Sequence, residues 1–227
     1  LARIDEAGER AWAAEWLADC ARHAGLEAVP EVRDAIWSAL GAMAAAPVDQ
    51  RTLTVFHALV QHPALAAALE PLTLRGPHGD LLDGVETGQG DSPFDTFELE
   101  TLMGTPSAVV PVLSALFHDL ERGFDGRPTL LVLDEAWLFL DHSLFAARIR
   151  EWLKTLRKKR VAVVFATQSL DDVAASAIAA ALIENCPTQV FLPNPRALEP
   201  ASADLYRAFG LSRRQRELIA FATPRRA

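Results

Sequence analysis

Asp134 and Glu135 are adjacent carboxylates at the end of the apolar run Thr129-Leu130-Leu131-Val132-Leu133. Such a run suits a parallel strand buried on both faces, and acids at its carboxyl end can meet a phosphate-bound metal. A second run, Val161-Ala162-Val163-Val164-Phe165, ends in Ala166-Thr167-Gln168-Ser169, and a helical pattern fills the space between the two. A βαβ unit with parallel neighbours would therefore present Asp134, Glu135 and Gln168 on one edge. Phosphoryl transfer needs a metal on the terminal phosphates, a group that orients the attacking water and charge that stabilises the transition state. Asp134 suits the metal, held through its water. Glu135 faces elsewhere and suits the base, and the Gln168 amide can donate to a terminal phosphate while accepting from the water. The plainer reading is that the acids cap the next helix and Gln168 bonds its local backbone.

The pattern of Asp134-Glu135 after an apolar strand reads as Walker B. Arg157, Lys158, Lys159 and Arg160 close the helix before the second strand, where cations complement the helix dipole. In a ring, Arg157 could instead reach a neighbour's nucleotide as an arginine finger. No Gly-x-x-x-x-Gly-Lys-Ser/Thr segment occurs in the 227 residues. Either a phosphate loop precedes Leu1, or the protein does not hydrolyse nucleotide. The histidines are scattered without zinc spacing, and Ser107, Ser143 and Ser169 lack the Gly-x-Ser-x-Gly context of a serine hydrolase. Trp12, Trp16, Trp37, Trp137 and Trp152 read as core.

Half of the residues are hydrophobic, ample for a buried core, and the net charge of −8 disfavours a surface that grips nucleic acid throughout. A local basic patch such as Arg213-Arg214-Arg216 reads as a solvated helix face, with DNA or anionic lipid contact as the alternative. Cys20 and Cys186 are far apart and read as two buried, reduced thiols. No apolar run approaches the roughly 20 residues of a membrane span, and the start lacks signal-peptide character, so a soluble chain is expected. Leu1 in place of Met, and the ending at 223–227, are expected to lie inside a longer sequence.

Four helical segments make up an expected subdomain over residues 1–70. The first spans 5–25, with Asp5 as cap and Gly25 past its end. Pro30 opens a second with Val32, Ile36, Trp37, Leu40 and Met43 on one face. A third runs from Leu53 to Pro63, and an Ala-rich piece follows. Residues 71–96, rich in Gly, Pro and Asp, read as a connecting loop. The α/β core is expected over 97–227, with a short strand at 97–100 and a helix at 107–121. The Asp-Glu strand follows, then a helix capped near Asp141 and the Gln168 strand. A single helix at 171–184, a strand at 188–192 and two short helices around Tyr206 and Leu218 complete it.

Asp134-Glu135-Ala136-Trp137, the stretch from Glu151 to Lys159, Phe165-Ala166-Thr167-Gln168-Ser169, Glu184-Asn185-Cys186-Pro187-Thr188 and Leu192-Pro193-Asn194 together resemble the C-terminal ATPase domain of TrbE-type conjugal transfer proteins. Leu1-Ala2-Arg3-Ile4-Asp5 and Glu9-Arg10-Ala11-Trp12 look like the same family just beyond its Walker A region. The resemblance implies a RecA-like P-loop NTPase, a parallel sheet core with an N-terminal helical subdomain, using ATP and Mg2+. It implies a hexamer at the cytoplasmic face of the bacterial inner membrane, peripheral to it and joined to other type IV secretion components. ATP hydrolysis there drives pilus biogenesis and substrate or DNA transfer. Asp134 and Glu135 match Walker B, with Asp134 on the magnesium. Gln168 matches the motif-three glutamine, and Arg157 matches a basic residue of the finger motif. The missing Walker A lysine departs from the family, so catalysis is expected of the complete parent and not of this piece. The alternatives are a DNA translocase of the related hexameric pumps and a non-catalytic assembly scaffold.

Overall fold

The computed structural model describes residues 1–84, 94–135 and 143–222. Trp137, the expected cap at Asp141 and the ending at 223–227 lie outside them. Contacts divide the chain into two compact units, Leu1–Gly123 and Phe124–Ala227, whereas the sequence reading divides it at 70 and 96. The acidic excess lies in the first unit, and the second holds more Lys and Arg than Asp and Glu.

The first unit is helical: α1 (Ala7–His23), α2 (Pro30–Ala44), α3 (Leu53–Leu59), α4 (Pro63–Leu69), α5 (Gly79–Leu82), α6 (Glu100–Met103) and α7 (Pro106–Gly123). Apolar residues at helical spacing meet in one core of Leu17, Ile36, Leu40, Met43, Phe56 and Leu65. α7 belongs here because the buried Trp16 indole donates to the Pro111 carbonyl at 3.0 Å and Trp12 stacks on His118 with ring centres 3.7 Å apart. Gly25, at φ +88, ends α1 with Leu26 N–H on the Ala21 carbonyl, a left-handed stop that glycine adopts without strain. Asp5 does not cap α1. Glu6 holds that position without a side-chain bond, and Asp5 instead pairs with Arg51. Arg51 is 7% exposed and also donates to the carbonyls of Ala2, Ala44 and Ala46. Trp37 is not core: half its surface is exposed, with the Arg10 guanidinium over the ring.

The stretch expected to be a plain connecting loop is pinned at its start. Asp83, 8% exposed, accepts from the backbone N–H of Thr54 and of Leu74, and from the Thr54 hydroxyl. Gly79 packs so closely that a Cβ there would run into the Thr73 carbonyl. No strand forms at 97–100, where irregular chain gives way to α6 at Glu100.

The second unit contains β1 (Thr129–Leu133), α8 (Ser143–Thr155), β2 (Val161–Phe165), α9 (Leu170–Ala175), α10 (Ala179–Asn185), α11 (Pro200–Ala208) and α12 (Arg213–Phe221). β1 and β2 pair in parallel from Thr129 opposite Val161 to Leu133 opposite Phe165. α8 buries Phe145, Ile149 and Trp152, and Phe124 meets Trp152 edge-on. The two strands are not buried on both faces. Leu133 and Val161 are covered, but Leu130, Val132 and Val164 are 63%, 55% and 45% exposed. A parallel strand is hidden on both sides only where layers lie on both sides, and among the described residues only one face is covered.

No strand forms at 188–192, where Val190 and Leu192 are largely exposed. β-forming residues need a neighbour to pair with. Here a cavity of about 620 Å³ is lined by Val163 and Phe165 of β2 and by Val190 and Phe191 of this stretch. The helix expected at 171–184 is two helices, α9 and α10. The Ser176 hydroxyl donates to the Val173 carbonyl at 2.8 Å and Ser176 leaves the helical region, which interrupts the run. A small satellite core of Ala197, Tyr206, Leu211 and Ile219 joins α11 and α12. Arg213 and Arg214 on α12 are exposed and pair with Glu217, while Arg216 is partly buried. Cys20 is buried and Cys186 only partly so.

Candidate phosphate-chemistry site at the strand tips

The parallel ladder continues one step beyond the paired residues, with Ala166 N–H donating to the Leu133 carbonyl at 2.9 Å. Past that bond, both chains leave the sheet at the same end. β1 continues into Asp134 and Glu135, and β2 into Thr167 and Gln168. Glu135 takes the left-handed conformation, φ +51, which is uncommon for a residue with a side chain. Its N–H donates to Asp134 Oδ1 at 3.1 Å, so the turn is closed by the preceding carboxylate. The Gln168 side-chain amide donates to Glu135 Oε1, a bond that crosses from one strand tip to the other.

Gln168 is placed by its neighbours. The Thr167 hydroxyl accepts from Ser169 N–H at 3.2 Å and donates to the Ser169 carbonyl at 3.3 Å. Ser169 in turn caps α9, its hydroxyl accepting from Asp172 N–H at 3.2 Å. Sequence reasoning missed Thr167 and Ser169. The signal for Ser169 was present, because Ser169-x-x-Asp172 is the pattern of a capped helix start.

The structure therefore brings together Asp134, Glu135 and Gln168, but not Arg157. Arg157 lies in the 3-10 turn Leu156–Lys159 at the amino end of β2, exposed to solvent. At that end Thr129 N–H donates to the Arg160 carbonyl. Five strand residues at about 3.3 Å each separate the two ends by roughly 16 Å.

Asp134 is exposed, with Oδ1 accepting a single backbone N–H, so it can receive a water of a hard cation. Among the described residues no group of three or more His, Cys, Asp or Glu side chains converges to cage a metal, so a cation here would be held by Asp134 and its own waters.

Comparison with known proteins places the chain in a family. The model of the TraG P-loop domain matches residues 90–223. The chain is 44% identical to a probable conjugal transfer protein TrbE of Sinorhizobium fredii, with all of this chain and 34% of that protein aligned. It is 43% identical to "Conjugal transfer protein TrbE" of Rhizobium radiobacter over its full length and 27% of that protein. "Type IV secretion system protein virB4" of Bartonella henselae is 30% identical over 90% of this chain and 26% of its own length. The chain thus spans about a third or less of these curated relatives, and the domain match embraces both strands and every residue of the strand-tip site. This chain belongs to the TraG P-loop domain family.

Proposed function

We propose that the chain is the portion of a conjugative type IV secretion ATPase that supplies the metal-binding acid, the water-activating acid and the phosphate-sensing amide. The amide-to-carboxylate bond between Gln168 and Glu135, across two strand tips, carries this reading. The family match and the names of the TrbE and VirB4 relatives support it. On this reading residues 97–227 belong to a RecA-like core, the helices of 1–70 are its insertion, and residues 71–96 link the two. A phosphate-binding loop elsewhere in the longer protein supplies the cationic cradle. Magnesium, if bound there with ATP, would supply positive charge against the phosphates, with Asp134 the residue to hold it.

Asp134 would hold a water of that ion, Glu135 would take the proton of the attacking water, and the Gln168 amide beside it would donate to the terminal phosphate. The amide bonds one carboxylate oxygen of Glu135, Oε1, and a carboxylate is a group able to take a proton from water. Arg157, roughly 16 Å from the tips by strand length, can serve only a neighbouring subunit's site, which fits a ring, a hexamer in the complete protein. Work of this kind occurs at the cytoplasmic face of the inner membrane, alongside the other secretion components. No described helix is long and apolar enough to cross a membrane.

The test is Glu135→Gln in the full-length protein. ATP should remain bound while turnover falls at least about a hundredfold; unchanged turnover refutes the assigned base. Arg157→Ala should cripple turnover only in rings, and a few Arg157→Ala subunits mixed into a native ring should silence their neighbours. A second reading, a DNA translocase of the related pumps, is favoured by the basic balance of the second unit and the exposed Arg157 and Lys158. DNA-stimulated hydrolysis would select it. A non-catalytic scaffold would show no ATP hydrolysis in the full-length protein.

A further inference from the structure

We infer that Thr167 is the positioning residue for Gln168, and that its hydroxyl holds the amide on the axis between Glu135 and the terminal phosphate. This rests on the proposed role of Gln168 and adds a residue to it.

Thr167 and Gln168 are the two residues between two anchors. On one side the last ladder bond, Ala166 N–H to the Leu133 carbonyl, fixes β2 to β1. On the other, Ser169 is fixed as the cap of α9 through Asp172 N–H. Thr167 spans the gap, because its hydroxyl takes both backbone groups of Ser169, accepting from the N–H and donating to the carbonyl. With both polar groups of Ser169 taken by one oxygen, the backbone on either side of Gln168 cannot rotate independently. The branched Cβ of threonine is stiff about its first side-chain torsion, so that oxygen stays in place without help from further partners. The side chain of Gln168 is exposed and would otherwise sample several rotamers. Thr167 is itself half-buried, so water competes less for its hydroxyl than for the amide it controls.

Thr167 touches neither nucleotide nor water in this account, so its loss should act on the chemical step and leave nucleotide binding alone. In the full-length protein, Thr167→Val keeps the shape and removes both hydrogen bonds. It should lower kcat roughly ten- to a hundredfold, the scale expected when a reacting group is displaced by about an ångström, with KM unchanged within about twofold. Thr167→Ser retains the hydroxyl and should recover most of kcat. Gln168→Ala is the control that separates two failures. If Gln168→Ala leaves turnover intact, the reading of the site itself fails. If Gln168→Ala abolishes turnover but Thr167→Val changes nothing, only the role of Thr167 fails.

A readout without turnover uses the 227-residue chain. The side-chain NH2 resonances of Gln168 should be well separated in the native chain and in Thr167→Ser, and should collapse toward free-glutamine positions in Thr167→Val. Should Thr167→Val unfold, Thr167→Ala and Thr167→Ser report the same contrast, since only serine keeps the oxygen. Unchanged Gln168 resonances in a folded variant lacking the hydroxyl would overturn the inference.

Discussion

Replacing Glu135 by glycine and by alanine separates the backbone conformation of this residue from the function of its carboxylate. Both substitutions delete the carboxylate and its bond from Gln168, so the lost contact cancels when the two variants are compared. What remains is the left-handed turn at φ +51. A residue with a Cβ loses about 1–2 kcal/mol there, and glycine does not. Glycine gives back about 0.5–1 kcal/mol through the greater freedom of its unfolded chain. The glycine variant should therefore be more stable than the alanine variant, by about 0.75 kcal/mol at the middle of those ranges. With a urea slope of about 1–3 kcal/mol per molar, that difference separates the midpoints by roughly 0.25–0.75 M, readily resolved by circular dichroism on the 227-residue chain. In the full-length protein neither variant should turn over ATP. An alanine variant as stable as the glycine variant would refute the left-handed placement of Glu135, and with it the aim of the carboxylate toward Gln168.

Other perturbations probe the frame around the site. Asp83→Ala strands the N–H of Thr54, at a cost of about 1–3 kcal/mol, while Leu74 N–H keeps the Thr54 hydroxyl as acceptor at 3.1 Å. Thermal unfolding should show a loss of about 1–3 kcal/mol, and an unchanged stability would contradict the pinned connection. Burial holds the Asp119 carboxyl above its ordinary 3.8, opposed by Arg122 and His118. A raised folded value means that ionised Asp119 opposes folding, and that this cost disappears as pH falls through the folded value. Asp119→Asn should therefore stabilise the chain at pH 7, and the gain should vanish in acid; a gain independent of pH would be wrong for this cause. Burial pushes the Cys20 thiol far up and the partly buried Cys186 thiol up as well. A thiol reagent at mildly alkaline pH should label Cys186 first and Cys20 only on unfolding, and equal rates would contradict the buried core around α1.

Helices whose apolar residues recur every three or four positions were legible, as in α1, α2 and α7, because one stripe suffices to bury a helix. The strands β1 and β2 were legible as apolar runs, and the polar residues that follow them placed Asp134, Glu135 and Gln168 at one end of a parallel pair. Residues 97–100 and 188–192 have the composition of strands without a neighbour to pair with, and pairing depends on distant chain that a local pattern does not contain. The run at 171–184 hid the break at Ser176, where a hydroxyl competes for a helical carbonyl. Arg51 and Asp83 carry no local pattern that marks them as buried, because the Ala2 carbonyl that Arg51 meets and the Thr54 N–H that Asp83 meets lie 49 and 29 residues away. Trp37 follows helical spacing yet faces solvent, since periodicity assigns a face but not what covers it. At the site, the residue types were visible, whereas the left-handed turn of Glu135 and the hydroxyl of Thr167 emerge only from backbone geometry.

A crystal structure of the full-length protein with a non-hydrolysable ATP analogue and magnesium tests the central claim most directly. The account predicts the Asp134 carboxylate on a magnesium-bound water, Glu135 facing the water in line with the terminal phosphate, and the Gln168 amide within hydrogen-bond reach of that phosphate. A nucleotide seated away from these strand tips, or one whose terminal phosphate contacts neither Glu135 nor Gln168 through any water, would contradict it.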